Sequence, residues 1–522
     1  MNAPSNPDDS HIHHGRVLSV SHSILAMLGL CFVVMLVAID QTVVGTAMPT
    51  IVAELNGFEL YAWVASAYFL TSIITVPIFG RLGDFYGRRY FVIISIVLFT
   101  VSSVACGLAQ SMLQLVFARA LQGVAGGMLV GTAFACIPDL FPSTQVRLRW
   151  QVMLSSAFGI ANAIGPSLGG VLTEQYGWRS IFYVNVPIGL LSLYFVWRYL
   201  PLIRHHQAER IRLDWQGALL LVLGLACVQL LVELVPVHGA NIWMLLLGLV
   251  GGVAFALLMW WEQRCVEPLL PPAMFRNPAQ VALFIMATGL GFVMFSILFY
   301  APLALQGGLQ MRPQEAGLLV TPMVVSITVG SILNSRIVTR LSRPSRMLMV
   351  GLLLLLLTCA GLVLLDSHTP TWLFVCYTAV GGVGIGFIMP NLTIFSQEIA
   401  QRSMVGIATA TLQSARMVGG MLGATIVGTL ITYHYGNLVV ALHTSVDASA
   451  STMLTDPQLL MSPERQALFL EHVPTIGQTV LSSAREALLQ AVNFGMGLVL
   501  LVILCGFFML RKVATIQFLK RR

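Results

Sequence analysis

The sequence predicts an all-α polytopic membrane protein, on three observations: its composition, the number and length of its apolar runs, and the sidedness of its charges. Of 522 residues, 57% are hydrophobic and only 9% charged, with a mean hydropathy of +0.84. A soluble domain carries about 25% charged residues, so this chain cannot cover a core with a water-facing surface. Fourteen apolar stretches approach the ~20 residues that a spanning helix needs: 23–46, 60–79, 91–109, 113–137, 151–173, 180–199, 214–234, 243–262, 279–305, 315–335, 346–365, 371–394, 404–432 and 486–510.

Charge sidedness then orients the spans. With an even number of crossings, one side carries Arg16, Arg81, Arg88, Arg89, Arg147, Arg149, Arg198, Arg204, Arg210, Arg212, Arg264, Arg276, Arg336, Arg340, Arg343, Arg346, Arg402 and the C-terminal Arg511, Lys512, Lys520, Arg521 and Arg522, 22 cations in all. The other side carries Arg179, Arg312, Arg465 and Arg485, while Arg119 and Arg416 lie inside spans. Cations concentrate in cytoplasmic loops, so both termini are expected in the cytoplasm and the chain in the cell (inner) membrane. The net charge of +7 is thereby topological, and no nucleic-acid partner is expected.

Along the chain, residues 1–22 form a polar cytoplasmic tail, and the apolar run after them is too long for a cleaved signal peptide. A first six-helix bundle is expected over 23–200, an inserted helix pair with its flanking loops (spans 7 and 8) over 201–278, a second six-helix bundle over 279–510, and a basic cytoplasmic tail over 511–522. Residues 433–485 form the one long outer loop, with a helix-like stretch around 463–489, expected to be an ordered flap rather than a docking domain. The eight cysteines are scattered through apolar runs without CxxC or His/Cys spacing and read as small core residues. His11, His13 and His14 cluster in the tail without a defined metal spacing, and no metal site or cofactor is expected.

An internal repeat supports the two halves. Closely spaced glycines run to a proline in span 4, from Gly123 to Pro138, and in span 12, from Gly381 to Pro390. In spans 5 and 13, GPSLGG aligns with GGMLGA, so Gly165 pairs with Gly419 and Gly169 with Gly423. Two such repeats imply a central path and alternating access by rocking one half against the other; small residues every four positions also serve plain helix packing.

Asp40, in VMLVAIDQTVVGTAMP, is an acid well inside a span, where a charge is costly unless it is paired or faces water. It lies about seven residues before the outer end of span 1, ~10 Å deep at 1.5 Å per residue. Arg119, in LVFARALQGVAGG, lies at a similar depth in span 4, so the two are expected to face each other or share a cavity. Such a pair is either a structural ion pair or a proton-coupling site that exchanges a proton when its geometry changes.

Two further motifs point to conformational change. GRLGDFYGRRY, with Gly80, Gly83, Asp84, Gly87, Arg88 and Arg89, lies between spans 2 and 3; its glycines permit a tight turn, and Asp84 can accept bonds from Arg88 or a helix N-terminus. It is either a conformational latch or a basic turn and nothing more. FGIANAIGPSLGG in span 5 offers Gly159, Ala163, Gly165, Gly169 and Gly170 for close helix contact and Pro166 for a bend. It reads as a seam against proton leak or as a kinked packing helix.

With these motifs in view, the chain resembles the major facilitator superfamily, and within it the fourteen-span drug:proton antiporters that include quaternary-ammonium and Emr-type multidrug exporters. GRLGDFYGRRY is similar to the superfamily's loop 2–3 signature, LVFARALQGVAGG to its span 4 motif with Arg119 at the arginine position, IANAIGPSLGG to the span 5 antiporter motif, and AIDQTVVGTAMPTI to the span 1 motif with Asp40 at the acidic position. WRSIFYVNVPIG fits the family's span 6 entrance. Gly45 stands where the family commonly has Asn.

The resemblance implies a major facilitator fold with two inserted helices and proton-coupled export of hydrophobic, monocationic or neutral drugs and toxic compounds. Span 10 lacks the additional acids of relatives that handle dications, and Arg416 adds a cation to span 13. Candidate substrate contacts are Trp63, Phe69, Phe158, Asn162, Phe292, Phe295, Phe299, Met389, Asn391, Gln413 and Arg416, because promiscuous pockets favour aromatic and adaptable surfaces. Expected partners are small hydrophobic substrates, protons and the lipid bilayer, with a periplasmic adaptor and an outer-membrane channel as further candidates. The competing reading is a dedicated exporter of an endogenous metabolite, lipid or siderophore. An enzyme is not expected, since no nucleophile–base set or ligand cluster is visible, and neither is ATP drive, since there is no GxxxxGK[ST] loop.

Overall fold

The computed structural model describes residues 10–13, 16–55, 60–134, 136–141, 144–202, 214–239, 241–265, 268, 270–311, 313–341, 343–364, 366, 369–400, 404–440, 453–455, 457–460, 463–473 and 476–513. In the first half, α1 is Val20–Leu55, α2 Tyr61–Tyr86, α3 Arg88–Gly107, α4 Met112–Ala133, α5 Cys136–Leu140, α6 Thr144–Tyr176, α7 Ser180–Tyr183 and α8 Asn185–Tyr199. Then come α9 Trp215–His238, α10 Ile242–Glu262 and the short α11 Pro272–Arg276. The second half holds α12 Pro278–Leu303, α13 Pro313–Ile337, α14 Ser345–Val363, α15 Thr371–Ile399, α16 Val405–Val440, α17 Pro463–His472 and α18 Gly477–Val513. A hairpin pairs Ser10–His13 with Arg16–Ser19 ahead of α1.

Among the described residues, twelve helices are long and apolar enough to cross a membrane, and the bent α6 would make a thirteenth. The two further expected spans, 60–79 and 151–173, fall on α2 and α6. Helix α2 carries an apolar run over Ala67–Gly80, within which the hydroxyls of Thr71, Ser72 and Thr75 donate to the carbonyls of Ala120 (2.8 Å), Gly123 (2.8 Å) and Val124 (3.2 Å) on α4. In α6, two segments, Arg149–Asn162 and Ser167–Tyr176, meet at 41°, with Pro166 in the interval that separates them; a proline removes a ladder hydrogen bond and bends a helix.

The packing repeats. In the first half α2 lies along α4 and α1 along α6; in the second half α13 lies along α15 and α12 along α16. Glycines make these approaches close. A Cβ at Gly123, Gly127 or Gly131 would come within 2.3–2.5 Å of the Tyr68, Ser72 or Val76 carbonyl oxygen of α2, and one at Gly382 or Gly386 within 1.9–2.4 Å of the Met323 or Ile327 carbonyl of α13. The aligned pair behaves alike: a Cβ at Gly165 would strike Thr42 of α1, and one at Gly419 the Thr288 carbonyl of α12. Four-residue spacing keeps such glycines on one stripe of a helix.

Helices α9 and α10 pack mainly on each other, and α9 also touches α2 and α16 beside the junction of the two halves. Their outward side, with Trp243, Leu245 and Leu249, is exposed, as a lipid-facing surface is. Buried acids anchor the pair's ends: Asp214 caps α9 through the Gly217 amide (2.8 Å) and accepts from the Trp261 indole (2.7 Å), and Glu262 accepts from the Leu270 amide. Elsewhere helices overrun the expected boundaries. Helix α1 continues to Leu55, α16 runs to Val440 and α18 begins at Gly477, and helices Pro463–His472 and Gly477–Val513 occupy the stretch around 463–489 expected to be helix-like. Tyr435 donates to the Leu454 carbonyl (2.9 Å), and Leu459, Leu460 and Phe469 are buried in the main core.

Candidate functional site

Asp40 and Arg119 meet inside the first half. Arg119 Nη1 donates to Asp40 Oδ2 at 2.6 Å, and their side chains are 3% and 0% exposed. Two amides complete the enclosure of the carboxylate: Gln122 Nε2 donates to Oδ1 at 2.8 Å and Asn185 Nδ2 donates to the same oxygen at 3.0 Å. Arg119 is held in turn by Gln122 Oε1 (2.7 Å), the Val64 carbonyl (3.3 Å) and the Tyr68 ring, 4.4 Å from its guanidinium carbon. The cluster therefore joins α1, α2, α4 and α8. The glycine stripe of α4 makes it reachable, because close approach to α2 brings Tyr68 and the Val64 carbonyl over Arg119.

Sequence reasoning placed the two charges at one depth but missed Gln122 and Asn185. Gln122 was findable, one helical turn after Arg119 and hence on the same face; Asn185 stands out only as an amide in the WRSIFYVNVPIG stretch.

The GRLGDFYGRRY turn hinges on Gly87, at φ +93°, whose amide donates to the Gly83 carbonyl (3.1 Å). Gly83 lies within α2, and its role is room: a Cβ there would sit 3.0 Å from Arg88 Cγ, and Arg88 is buried. Gly80 meets the other half, where its Cβ would fall 2.6 Å from Ala410 Cβ on α16. Arg89 Nη2 donates to the Trp197 carbonyl at 2.6 Å and ties α3 to α8. The side chains of Arg81, Asp84 and Pro166 lie outside the described residues.

The glycines of FGIANAIGPSLGG do not form one face. Gly159 looks across to Thr328 and Ile327 of α13, Gly165 looks to Thr42 of α1, and a Cβ at Gly170 would meet nothing within 4 Å. Gly169 is buried. Six residues turn a helix by about 600°, so Gly159 and Gly165 point some 120° apart.

Between the halves, contacts run along a seam. At the end bearing the basic loops, Arg147 of α6 pairs with Glu398 of α15 at 2.7 Å, and deeper along the seam Ser414 Oγ donates to the Ile73 carbonyl (3.3 Å). Burial lowers the Arg147 pKa from its ordinary value, and Glu398 acts against that shift. Farther along, Phe69 meets Phe295 edge-on at 5.8 Å, Phe295 stacks on Phe299 at 6.2 Å, and Phe299 lies 3.8 Å from where a Gly45 Cβ would be. Arg416 reaches across toward Phe158, 5.6 Å from its ring centre, at a small cleft walled by Val34, Val37, Leu129 and Val130.

Other candidate contacts sit elsewhere. Asn391 is spent within the second half, donating to Asn334 Oδ1 and the Phe387 carbonyl, both at 2.8 Å. Met389 and Phe292 are buried in the core, Trp63 is half-buried near the start of α2, and Asn162 is buried. Gln413, by contrast, lies one helical turn from Arg416 on α16 and is buried with neither amide atom hydrogen-bonded. At the far end of α1, Glu54 accepts from the Trp178 indole (2.8 Å) and pairs with Arg179, which accounts for one of the few cations on that side.

The family model described as Major Facilitator Superfamily matches residues 30–424. Multidrug transporter protein MdtP of Bacillus subtilis (strain 168) is 31% identical over 487 residues, 88% of each chain. Multidrug resistance protein 3 of the same strain is 33% identical, covering 83% of this chain and 85% of its own. The tetracenomycin C resistance and export protein of Streptomyces glaucescens is 29% identical, over 79% and 76%. Among solved structures, a bacterial homolog of the human lysosomal transporter Spinster, inward-facing and unoccupied, aligns with a TM-score of 0.59 at 15% identity over 96% of this chain and 100% of that one, a likeness that shows the fold alone.

Proposed function

Because this chain belongs to the Major Facilitator Superfamily, we propose that it exports hydrophobic compounds in exchange for protons, with Asp40 as the proton-carrying group and Arg119 as its partner. The observation that carries this reading is the buried Asp40–Arg119 pair with its two amide donors. A proton taken up by Asp40 cancels the negative charge that Arg119, Gln122 and Asn185 all address. That loosens α1 from α4 and α8 together. A charge change is thus converted into helix movement, as alternating access requires.

The relatives named as multidrug transporters and export proteins favour drug efflux over a dedicated metabolite carrier. We place fourteen crossings in the cell membrane with both termini cytoplasmic, counting α2 and the bent α6, with α9 and α10 as the inserted pair between two six-helix bundles. The 22-to-4 distribution of loop cations supports this orientation. The Gly80–Arg89 turn, Asp84 included, acts as a latch at the cytoplasmic end, next to the Gly80–Ala410 contact.

Substrate charge follows from the acids available. Of the monocationic and neutral compounds that the sequence suggested, neutral ones are better supported, because the Asp40 carboxylate is enclosed by three donors and has no free side for a cation. Exchanging one proton for a neutral molecule draws on the membrane potential, ~2.3 kcal/mol per 100 mV, as well as on the pH gradient. Cells expressing the protein should hold less of a neutral lipophilic dye, and a protonophore should erase the difference. Efflux that persists under the protonophore would contradict proton drive.

A further inference from the structure

Arg416 is 7% exposed, and among the described residues no carboxylate pairs with it and no hydrogen bond holds its guanidinium. Among the described residues its guanidinium faces the Phe158 ring at 5.6 Å. Eleven residues into α16, it lies ~16 Å from that helix's first turn, well inside the protein. One helical turn earlier on the same helix, Gln413 is 1% exposed, and both its Nε2 and its Oε1 lack hydrogen-bond partners. Buried polar atoms are rarely left so, and a guanidinium carries five donors and is always charged. The apolar wall opposite comes from the first half, through Val34, Val37, Leu129 and Val130.

The charge balance along the path gives the sign of the missing partner. Asp40 and Arg119 cancel each other in their own cluster, and Glu398 is paired with Arg147. Among the described residues, Arg416 is left as an uncancelled positive charge at the seam.

Resting on the exporter reading above, we propose that Arg416 and Gln413 form an acceptor site for an ionised acidic group of the substrate, so that the protein favours amphiphilic organic anions, such as aryl carboxylates, over cations of the same apolar body. The planar fork of Arg416 takes both carboxylate oxygens, the Gln413 amide adds a donor, and Phe158 with the valines receives the hydrophobic part. Because the site bridges the halves, the bound anion supplies a contact between α16 and the first bundle.

Three probes share one body: 1-pyrenebutyrate, its methyl ester, and the corresponding pyrenylbutyl trimethylammonium ion. Binding to the purified protein is read by fluorescence anisotropy, and proton-driven uptake by inverted vesicles is read separately. The expected order of affinity is carboxylate, then ester, then cation. Arg416→Gln should lower the carboxylate-to-ester affinity ratio about tenfold or more, and Arg416→Lys, which keeps a point charge without the fork, should lower it less. Gln413→Leu, which leaves the guanidinium in place, should lower the same ratio by a smaller factor and guards against a folding defect in the arginine variants. A ratio that Arg416→Gln leaves unmoved, or wild-type protein that binds the cation best, overturns the proposal. Carboxylate binding that depends on Arg416 without proton-driven uptake of any probe would support the site and contradict the exporter reading.

Discussion

Arg119 Nη1 lies 2.6 Å from Asp40 Oδ2 across the α1–α4 contact, with both side chains sealed from solvent. Removing one partner of a buried pair strands the other charge, at a cost of about 3–5 kcal/mol, whereas removing both costs far less. Arg119→Leu should therefore lower stability sharply, and Asp40→Asn/Arg119→Gln should recover most of it without recovering proton-driven export. Melting in detergent, run beside a transport assay, separates the two effects. A double variant as unstable as Arg119→Leu would mean that the pair is not the unit that matters.

The glycine stripe of α4 sets the geometry in which that pair forms. A Cβ at Gly127 would sit 2.0 Å from Thr75 Oγ1 and 2.4 Å from the Ser72 carbonyl oxygen, and backbone cannot yield as a side chain can. Gly127→Ala should cost roughly 1–3 kcal/mol, as overpacking does. Gly170→Ala, with nothing within 4 Å of the added carbon, should leave the melting temperature unchanged or raise it.

The Arg147–Glu398 bridge joins the two halves at the basic end, with side chains 13% and 20% exposed. A partly exposed pair contributes about 1 kcal/mol or less, enough to shift a balanced two-state equilibrium severalfold. Glu398→Gln should open that end more often, measured as longer distances between spin labels at the ends of α6 and α15. The swap Arg147→Glu/Glu398→Arg should restore the wild-type distribution.

At the far end, the Glu54 carboxyl is held below the ordinary glutamate range chiefly by its hydrogen bonds from Arg179 and Trp178. A lowered folded-state pKa means that the clasp is intact above the unfolded value, ~4.3, and is lost only as the pH falls through the still lower folded value. Glu54 thus stays ionised throughout the neutral range. Glu54→Gln should leave the pH dependence of export between pH 6 and 8 as it is in wild type; a displaced profile would assign the proton to the wrong carboxylate.

What the sequence made legible follows from what is costly in a membrane. Asp40 and Arg119 stand out because charges inside apolar runs need partners, and run lengths put them at one depth. Gln122 and Asn185, neutral amides, carry no such signal. Arg147 and Glu398 are 251 residues apart and in different halves, so only the folded chain pairs them. The repeat was readable because Gly165 and Gly419 answer the same steric demand against α1 and α12. The faces of α6 were misread because its glycines were grouped by proximity rather than by helical angle.

The central claim is that proton movement passes through Asp40. Purified protein in proteoliposomes enclosing a pH-sensitive dye should release protons from the lumen when a neutral lipophilic substrate is driven in. The Asp40→Asn variant should still equilibrate substrate down its gradient but move no protons. Proton release by Asp40→Asn, stoichiometric with substrate entry as in wild type, would contradict the account.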